Sequence, residues 1–328
     1  MDSGPTMQGP IPDDWQDAFA AIDLSVENPP ADPPTKTYLQ TPRMTNDPGT
    51  SYDEVPYESL PLAQTHPART NAIARLLGLR PPPPSRSRIL EIGCAGGGNL
   101  LPMALAMPDA QLVGIDLSRL QIEQGREIAD RLSLANLSLR QMDLMDAGAE
   151  LGEFDYIIVH GVFSWVPRPV QDRLFQVCRQ LLSPEGVVYI SYNALPGWHF
   201  RRVVRDLVRY HALQFPDPET RVAQARAILD FVARESVVPN QILQDEVALL
   251  LERPDSYVLH EHLESDNEAL YFHEFLERAR PHGLQYLGEA EFGSMLIEGF
   301  SRQVRETLPL ITDDLVRQQQ LMDFLRNR

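Results

Sequence analysis

Residues 88–99 constrain the fold more than any other part of the chain. They read Arg-Ile-Leu-Glu-Ile-Gly-Cys-Ala-Gly-Gly-Gly-Asn: an apolar strand, then a glycine-rich turn, then the start of a helical pattern. Glycines let the backbone approach a ligand closely, and the N-terminus of a following helix attracts an anionic group. The segment therefore predicts a nucleotide-binding unit of strand, loop and helix.

Strands and helices alternate behind this unit. The hydrophobic pattern predicts strands at about 88–92, 111–116, 137–142, 154–160 and 186–192. It predicts helices between them at about 97–107, 118–132 and 169–182. Apolar strands in such an alternation form a parallel sheet that helices cover on both faces. We predict an α/β fold with a Rossmann-like, doubly wound sheet.

The first strand carries an acid close to its end. Glu91 stands two residues before Gly93, at a position that is usually apolar in nicotinamide-binding loops. A carboxylate there can accept hydrogen bonds at the amino-acid end of S-adenosylmethionine (SAM), directly or through the loop. Ligands bind beyond the carboxyl ends of parallel strands. The cofactor-binding residues predicted in this loop are Glu91, Gly93, Cys94, Ala95, Gly97 and Asn99.

The second strand also ends in an acid. Asp116, followed by Leu117, is suited to binding the two hydroxyls of a ribose. The alternative is that Asp116 caps the next helix, because Ser118 follows it directly.

The ends of the third and fourth strands complete the predicted cofactor site. Asp143, with Leu144 beside it, is placed to accept a hydrogen bond from the amino group of adenine. His160 and Gly161 end the fourth strand, and they should border the sulfonium and the substrate.

A nicotinamide-binding fold is the main competing hypothesis. The spacing Gly93-x-Ala95-x-x-Gly98 nearly matches its fingerprint, which also accepts an acid about twenty residues later. The acid at Glu91 and the chemistry of the third and fourth strand ends favour SAM instead.

Residues 90–99 together with 113–118 resemble class I SAM-dependent methyltransferases. Further stretches resemble the bacterial group that carries a methyltransferase regulatory domain: 52–57, 65–67, 160–166, 191–193, 196–199, 260–264 and 271–275. Ala95 departs from the usual second glycine.

The resemblance implies SAM as cofactor and methyl transfer to an unspecified acceptor, a protein amine or a small molecule. Some relatives of the wider group are protein-lysine methyltransferases. The alternative is a SAM-binding regulatory or partner protein without turnover of its own.

The domain organisation follows from composition and from this resemblance. Residues 1–50 carry nine prolines and are predicted to be a mostly disordered tail. Residues 51–195 are predicted to form the SAM-binding domain, and 196–328 a mainly helical accessory region. Within that region, a helix and a strand at about 268–290 would complete the sheet. Residues 195–265 would then be an insertion; the rival description is an independent C-terminal domain.

Methyl transfer to an amine requires a neutral nitrogen held against the methyl group. Aromatic rings at such a site can also face a cation. The catalytic candidates, each of which also has a purely structural interpretation, are Tyr57, His160, Trp165, Tyr192 and Asn193.

Composition excludes several classes of partner. With 29 basic and 46 acidic residues the net charge is −17, so the surface should repel phosphate backbones, and we expect no nucleic acid. No apolar run approaches the roughly 18–20 residues of a membrane span. Cys94 and Cys178 match neither a disulfide framework nor a metal pattern. We therefore expect a cytoplasmic protein without a metal; a homodimer stays open.

Overall fold

The computed structural model describes residues 59–235 and 241–328. The predicted tail 1–50 and the candidate Tyr57 lie outside the described residues. The described chain divides into two compact units. One is His199–Glu264, and the other combines 59–198 with Ser265–Arg328. The predicted accessory region is thus shared between the two units.

The larger unit is built on five parallel strands in the order β3-β2-β1-β4-β5. The strands are β1 Arg88–Ile92, β2 Gln111–Asp116, β3 Leu137–Gln141, β4 Phe154–Val159 and β5 Leu182–Ile190. This order reverses direction at β1, so the carboxyl ends of β1 and its neighbours form the ligand-binding edge expected of a doubly wound sheet. The predicted Rossmann-like fold is confirmed.

Four helices precede or connect these strands: α1 Pro67–Leu76, α2 Leu100–Ala106, α3 Arg119–Arg131 and α4 Arg168–Leu181. The sequence predicts Thr65 as the cap of α1. The structure has His66 in that role, with its Nδ1 accepting from the Ala68 N–H at 3.1 Å. Thr65 is instead fully buried and bonded elsewhere.

Alternate residues of β1 and β4 belong to two separate cores, one on each face of the sheet. Leu90 of β1 and Ile157 of β4 pack with Phe175 of α4. Their sequence neighbours Ile89 and Ile158 join the other core. Because side chains alternate along a strand, an apolar strand of this kind is stable only with both faces covered. The continuous apolar runs in the sequence reflect this double burial.

The smaller unit is helical. It contains α5 Trp198–Ala212 from its second residue, α6 Pro218–Glu235, α7 Gln241–Leu251 and α8 Asp255–Tyr257, which continues as a π-helical turn, Val258–Leu263. Arg209 of α5 donates to the Leu263 carbonyl at 2.7 Å, and Arg205 to the Glu261 carbonyl at 3.2 Å. These arginines therefore satisfy carbonyls at the end of the turn.

The chain returns to the larger unit through a second, two-stranded parallel sheet. In it β6 Asn193–Leu195 pairs with β7 Ala269–Tyr271, and the helices α9 Phe272–Ala279, α10 Arg302–Ile311 and α11 Leu315–Arg326 follow. Across the described residues, no helix combines the length and the apolarity that crossing a bilayer requires.

The expectation that 268–290 completes the main sheet is wrong. Residues 284–288 form no strand, and β7 pairs with β6 outside the five-stranded sheet. Gly283 turns the chain with a φ of 77° after α9. Beyond it the ring of Tyr286 packs edge-on against Phe272, with centroids 4.9 Å apart. Side-chain packing rather than a strand ladder holds this apolar stretch.

Candidate functional site

The loop after β1 bends sharply over the end of β2. Gly93, Ala95 and Gly97 have positive φ values of 74°, 49° and 74°. The N–H groups of Gly93 and Cys94 both donate to the Ile115 carbonyl, at 2.9 and 3.1 Å. Backbone hydrogen bonds thereby join the carboxyl ends of the neighbouring strands β1 and β2. The Cys94 side chain is buried in a core, so only its backbone belongs to the loop surface.

Ala95 adopts a left-handed conformation that costs an L-residue about 1–2 kcal/mol. Ala95→Gly removes this strain, while the freer unfolded chain offsets about 0.4–1 kcal/mol. We expect a net stabilisation of roughly 0.5–1 kcal/mol in urea unfolding. The matched control is Ala104→Gly in the interior of α2, which should destabilise the protein. A loss of stability in Ala95→Gly as large as in the control would contradict the strain argument.

Glu91 is buried beneath the loop and bonded to its end. Its Oε1 accepts from the Asn99 side-chain amide at 2.8 Å. The Asn99 Oδ1 accepts in turn from the Leu62 N–H at 3.0 Å, and its Nδ2 donates to the Thr65 hydroxyl at 3.0 Å. Burial raises the pKa of Glu91 to about 8. Within the described ranges Glu91 Oε2 has no hydrogen-bond partner. It is therefore a buried acceptor available to a donor.

Asp116 links the loop to the next strand. Its Oδ2 accepts from the Ala95 N–H and its Oδ1 from the Ser118 N–H, both at 2.8 Å. The cap of α3 is Ser118, whose hydroxyl accepts from the Gln121 N–H at 3.2 Å. Ser118 therefore caps α3, and the Asp116 carboxylate lies at the loop after β1. Leu117 beside it is half exposed.

The end of β3 lies next to Asp116, because Gln141 pairs with Asp116 in the register of β2 and β3. Asp143 Oδ1 accepts from the Met145 N–H at 2.9 Å, which shapes the turn after the strand. Leu144 is buried and packs in the core. The acids after β2 and β3 thus occupy adjacent positions on one edge.

The end of β4 lies on the other side of β1, since Val159 pairs with Ile92. His160 Nδ1 is 3.3 Å from the hydroxyl of Tyr189 on β5. Burial lowers the pKa of His160, so the imidazole is neutral at pH 7. The exposed Gly161 donates its N–H to the Ser191 hydroxyl at 2.9 Å.

Two catalytic candidates have mainly structural contacts. Trp165 packs edge-on against Trp198, with ring centroids 6.0 Å apart. The Asn193 N–H donates to the Ser164 hydroxyl at 2.8 Å. The side-chain nitrogen of Asn193 is buried and has no hydrogen-bond partner among the described residues.

Tyr192 stacks on Phe275 of α9, with ring centroids 4.3 Å apart and planes 5° apart. Burial raises the pKa of its hydroxyl well above the usual range, and Glu289 and Asp323 raise it further. The C-terminal segment therefore brings carboxylates to Tyr192, which sequence reasoning did not anticipate.

Sequence reasoning also missed the contacts that support the loop from the N-terminal side. The Ser59 hydroxyl accepts from the Gly98 N–H at 2.8 Å. A Cβ built on Gly98 would lie 2.0 Å from the Ser59 carbonyl oxygen, so only glycine permits this approach. The run of three glycines in the loop was the available signal.

The sheet order, the glycine loop and the acid that ends β2 are typical of Rossmann-like nucleotide-binding proteins, and the buried Glu91 beneath the loop favours the SAM-dependent methyltransferases among them. The residues present fit the cofactor: the orphaned Glu91 oxygen suits a donor such as its amino group, and the Asp116 carboxylate suits its ribose.

Comparison with known proteins identifies the family. Residues 89–186 match the model of a methyltransferase domain, and 254–328 match that of a predicted methyltransferase regulatory domain. The uncharacterized protein RP789 of Rickettsia prowazekii is 44% identical over 84% of this chain and 51% of its own length. RP028 of the same organism is 39% identical over 70% of this chain and 94% of its own length.

A solved structure agrees with these matches. PKMT2 from Rickettsia typhi, in complex with AdoHcy, superposes with a TM-score of 0.76 at 37% identity, over 83% of this chain and 53% of that one. The chain thus spans about half the length of RP789 and PKMT2. It belongs to the family of SAM-dependent methyltransferases that carry the methyltransferase regulatory domain. The predicted family and the predicted cofactor, SAM, are confirmed.

Proposed function

We propose that this chain transfers the methyl group of SAM to an amine nitrogen of a protein, the side chain of a lysine. The observation that carries the proposal is the likeness to PKMT2, a protein-lysine methyltransferase whose structure holds AdoHcy, the demethylated form of SAM. That likeness extends over 83% of this chain.

SAM supplies a methyl group on a sulfonium, and the N–C bond to the acceptor forms as the C–S bond breaks and its electron pair goes to sulfur. The chain must therefore hold a neutral amine at this edge, although a lysine amine has a pKa of about 10.4 in water. The neutral imidazole of His160 adds no positive charge where a cationic acceptor enters.

The charge of the chain supports a cationic substrate. A net charge of −17 attracts lysine-rich polypeptides and repels phosphate backbones. Positively charged substrates are thus drawn to the protein over distances of about one Debye length, roughly 8 Å at physiological salt.

Calorimetric titration with SAM, AdoHcy and NAD, followed by transfer of a tritiated methyl group, tests the proposal. We expect SAM and AdoHcy to bind and NAD not to bind. Label should then enter poly-L-lysine but not poly-L-lysine whose amines have been exhaustively methylated. Binding of SAM without transfer to any protein would support the alternative of a SAM-binding protein without turnover, and binding of NAD alone would overturn both.

A further inference from the structure

We infer that Glu289, together with the hydroxyls of Tyr189, Tyr192 and Tyr286, forms the site that binds the amine of the methyl acceptor. This inference rests on the proposed function. Two of these residues, Tyr286 and Glu289, belong to the segment that matches the regulatory-domain model. That segment would therefore build part of the substrate site rather than only regulate it.

Two side chains of the C-terminal segment hold Glu289 in place. The Tyr286 hydroxyl donates to its Oε1 at 3.0 Å. Arg328 pairs with its Oε2 at 2.7 Å, and the Glu289 side chain retains 21% of its accessible surface. The carboxylate is thus oriented by two contacts and still reachable by a ligand.

The group lies at the strand ends that the cofactor site also uses. Tyr189 is on β5, with its hydroxyl 3.3 Å from His160 at the end of β4. Tyr192 follows β5 by two residues, and its ring is fixed by the stack on Phe275. Ligands of parallel sheets bind beyond these carboxyl ends. An amine held here is on the side of the sheet where the methyl group is expected.

Glu289 also affects the pKa values of all three tyrosines, and one of them, Tyr286, is bonded to it directly. Burial raises the pKa of Tyr189 to about 12, and Glu289 is the next cause. Burial and then Glu289 also raise the pKa of Tyr286 and Tyr192. The three hydroxyls stay protonated and can both donate and accept hydrogen bonds.

Asp323 is a second carboxylate that interacts with Glu289 and with Arg328. Burial raises the pKa of Asp323 to about 6, Arg328 lowers it and Glu289 raises it. The Asp323 Oδ1 also accepts from Gln319 at 3.2 Å. Arg326 lowers the pKa of Asp323 as well, so the two carboxylates have two arginine neighbours, Arg328 and Arg326.

This arrangement suits a lysine side chain. An ammonium donates up to three hydrogen bonds, which the carboxylate and the hydroxyl oxygens can accept. The aromatic rings contact the methylene groups and attract the cation. Transfer of one proton from the ammonium to the Glu289 carboxylate leaves the nitrogen lone pair that methyl transfer requires. After turnover the proton leaves Glu289 for solvent.

The test uses sinefungin, a SAM analogue in which a carbon bearing a primary ammonium replaces the methylsulfonium. Its ammonium projects toward the acceptor side, whereas AdoHcy has no charge there. We expect the wild-type protein to bind sinefungin more tightly than AdoHcy. Glu289→Gln should weaken sinefungin binding about tenfold and leave AdoHcy binding within about twofold. The matched control is Glu291→Gln, which removes an exposed acid paired with Arg69 and should change neither affinity.

The outcomes separate the inference from the proposed function. Failure of the wild-type protein to bind AdoHcy or SAM would overturn the proposed function itself. If both ligands bind and Glu289→Gln leaves their affinity ratio unchanged, the inference alone is overturned. Tyr286→Phe removes the hydroxyl bonded to Glu289 and should lower the ratio about threefold. This variant keeps the inference testable if Glu289→Gln does not fold.

Discussion

Asp116→Ala should weaken SAM binding about tenfold or more, which corresponds to roughly 1.4 kcal/mol. Two losses combine in this variant. A carboxylate that is suited to the ribose hydroxyls disappears, and a hydrogen bond to a charged acceptor is worth about 1.5–3 kcal/mol. The Ala95 N–H also loses its acceptor at 2.8 Å, so the loop after β1 is no longer tied to the end of β2. Isothermal titration with SAM measures the effect directly.

The control for this variant is an acid at the other end of β2, at the opposite edge of the sheet. Asp109 is exposed and precedes the amino end of β2, so Asp109→Ala should leave the affinity for SAM within about twofold of wild type. Asp116→Asn retains the size of the side chain and removes its charge; it should give an intermediate loss. An unchanged affinity in Asp116→Ala would remove Asp116 from the cofactor site.

The main sheet was predictable because its signal is local. The strands β1, β2 and β4 are short, mostly apolar runs, and such runs are readable without knowledge of distant contacts. Three residues of the loop after β1 have a positive φ. Two of them, Gly93 and Gly97, are glycines, and the third is Ala95. The carboxyl ends of successive strands then follow in chain order, which places Asp116, Asp143 and His160 without any structure.

The C-terminal segment was not predictable because its contacts are distant in sequence. The apolar stretch at 284–288 has the composition of a strand, and composition cannot reveal that it pairs with no other strand. Tyr286 packs on Phe272 instead of joining a ladder. Glu289 and Tyr189 are far apart in the sequence, and no spacing rule relates them.

The support of the loop is another long-range feature. Asn99 is bonded to Leu62 and Thr65, nearly forty residues earlier in the chain. From sequence alone, Thr65 was expected to cap a helix, a local role with a familiar signature. The Thr65 hydroxyl is instead bonded to the buried side-chain amide of Asn99, and His66 caps the helix.

Glu91→Gln should change how stability depends on pH, and it should raise stability most in alkaline solution. In the folded protein the pKa of Glu91 is raised to about 8 by burial, with Asp116 adding to the effect. In the unfolded chain a glutamate titrates near 4.3. Between these values the unfolded state loses its proton and the folded state keeps it, so wild-type stability falls as pH rises through this window.

The magnitude follows from the width of the window. Each pKa unit is worth about 1.4 kcal/mol, so the buried carboxyl reduces stability by several kcal/mol between about pH 4 and pH 8. Glutamine is neutral throughout and can still accept the hydrogen bond from Asn99. The variant should therefore match wild type within about 1 kcal/mol near pH 5, and exceed it by about 2 kcal/mol or more near pH 9.

Urea unfolding of the ligand-free protein across this range measures the difference. The control is Glu123→Gln on α3, where an exposed side chain with 53% of its surface accessible should show no such dependence. If the stability difference between Glu91→Gln and wild type is the same at both ends of the range, Glu91 is ionised in the folded protein. Its unpartnered oxygen would then be a charged acceptor before any ligand binds.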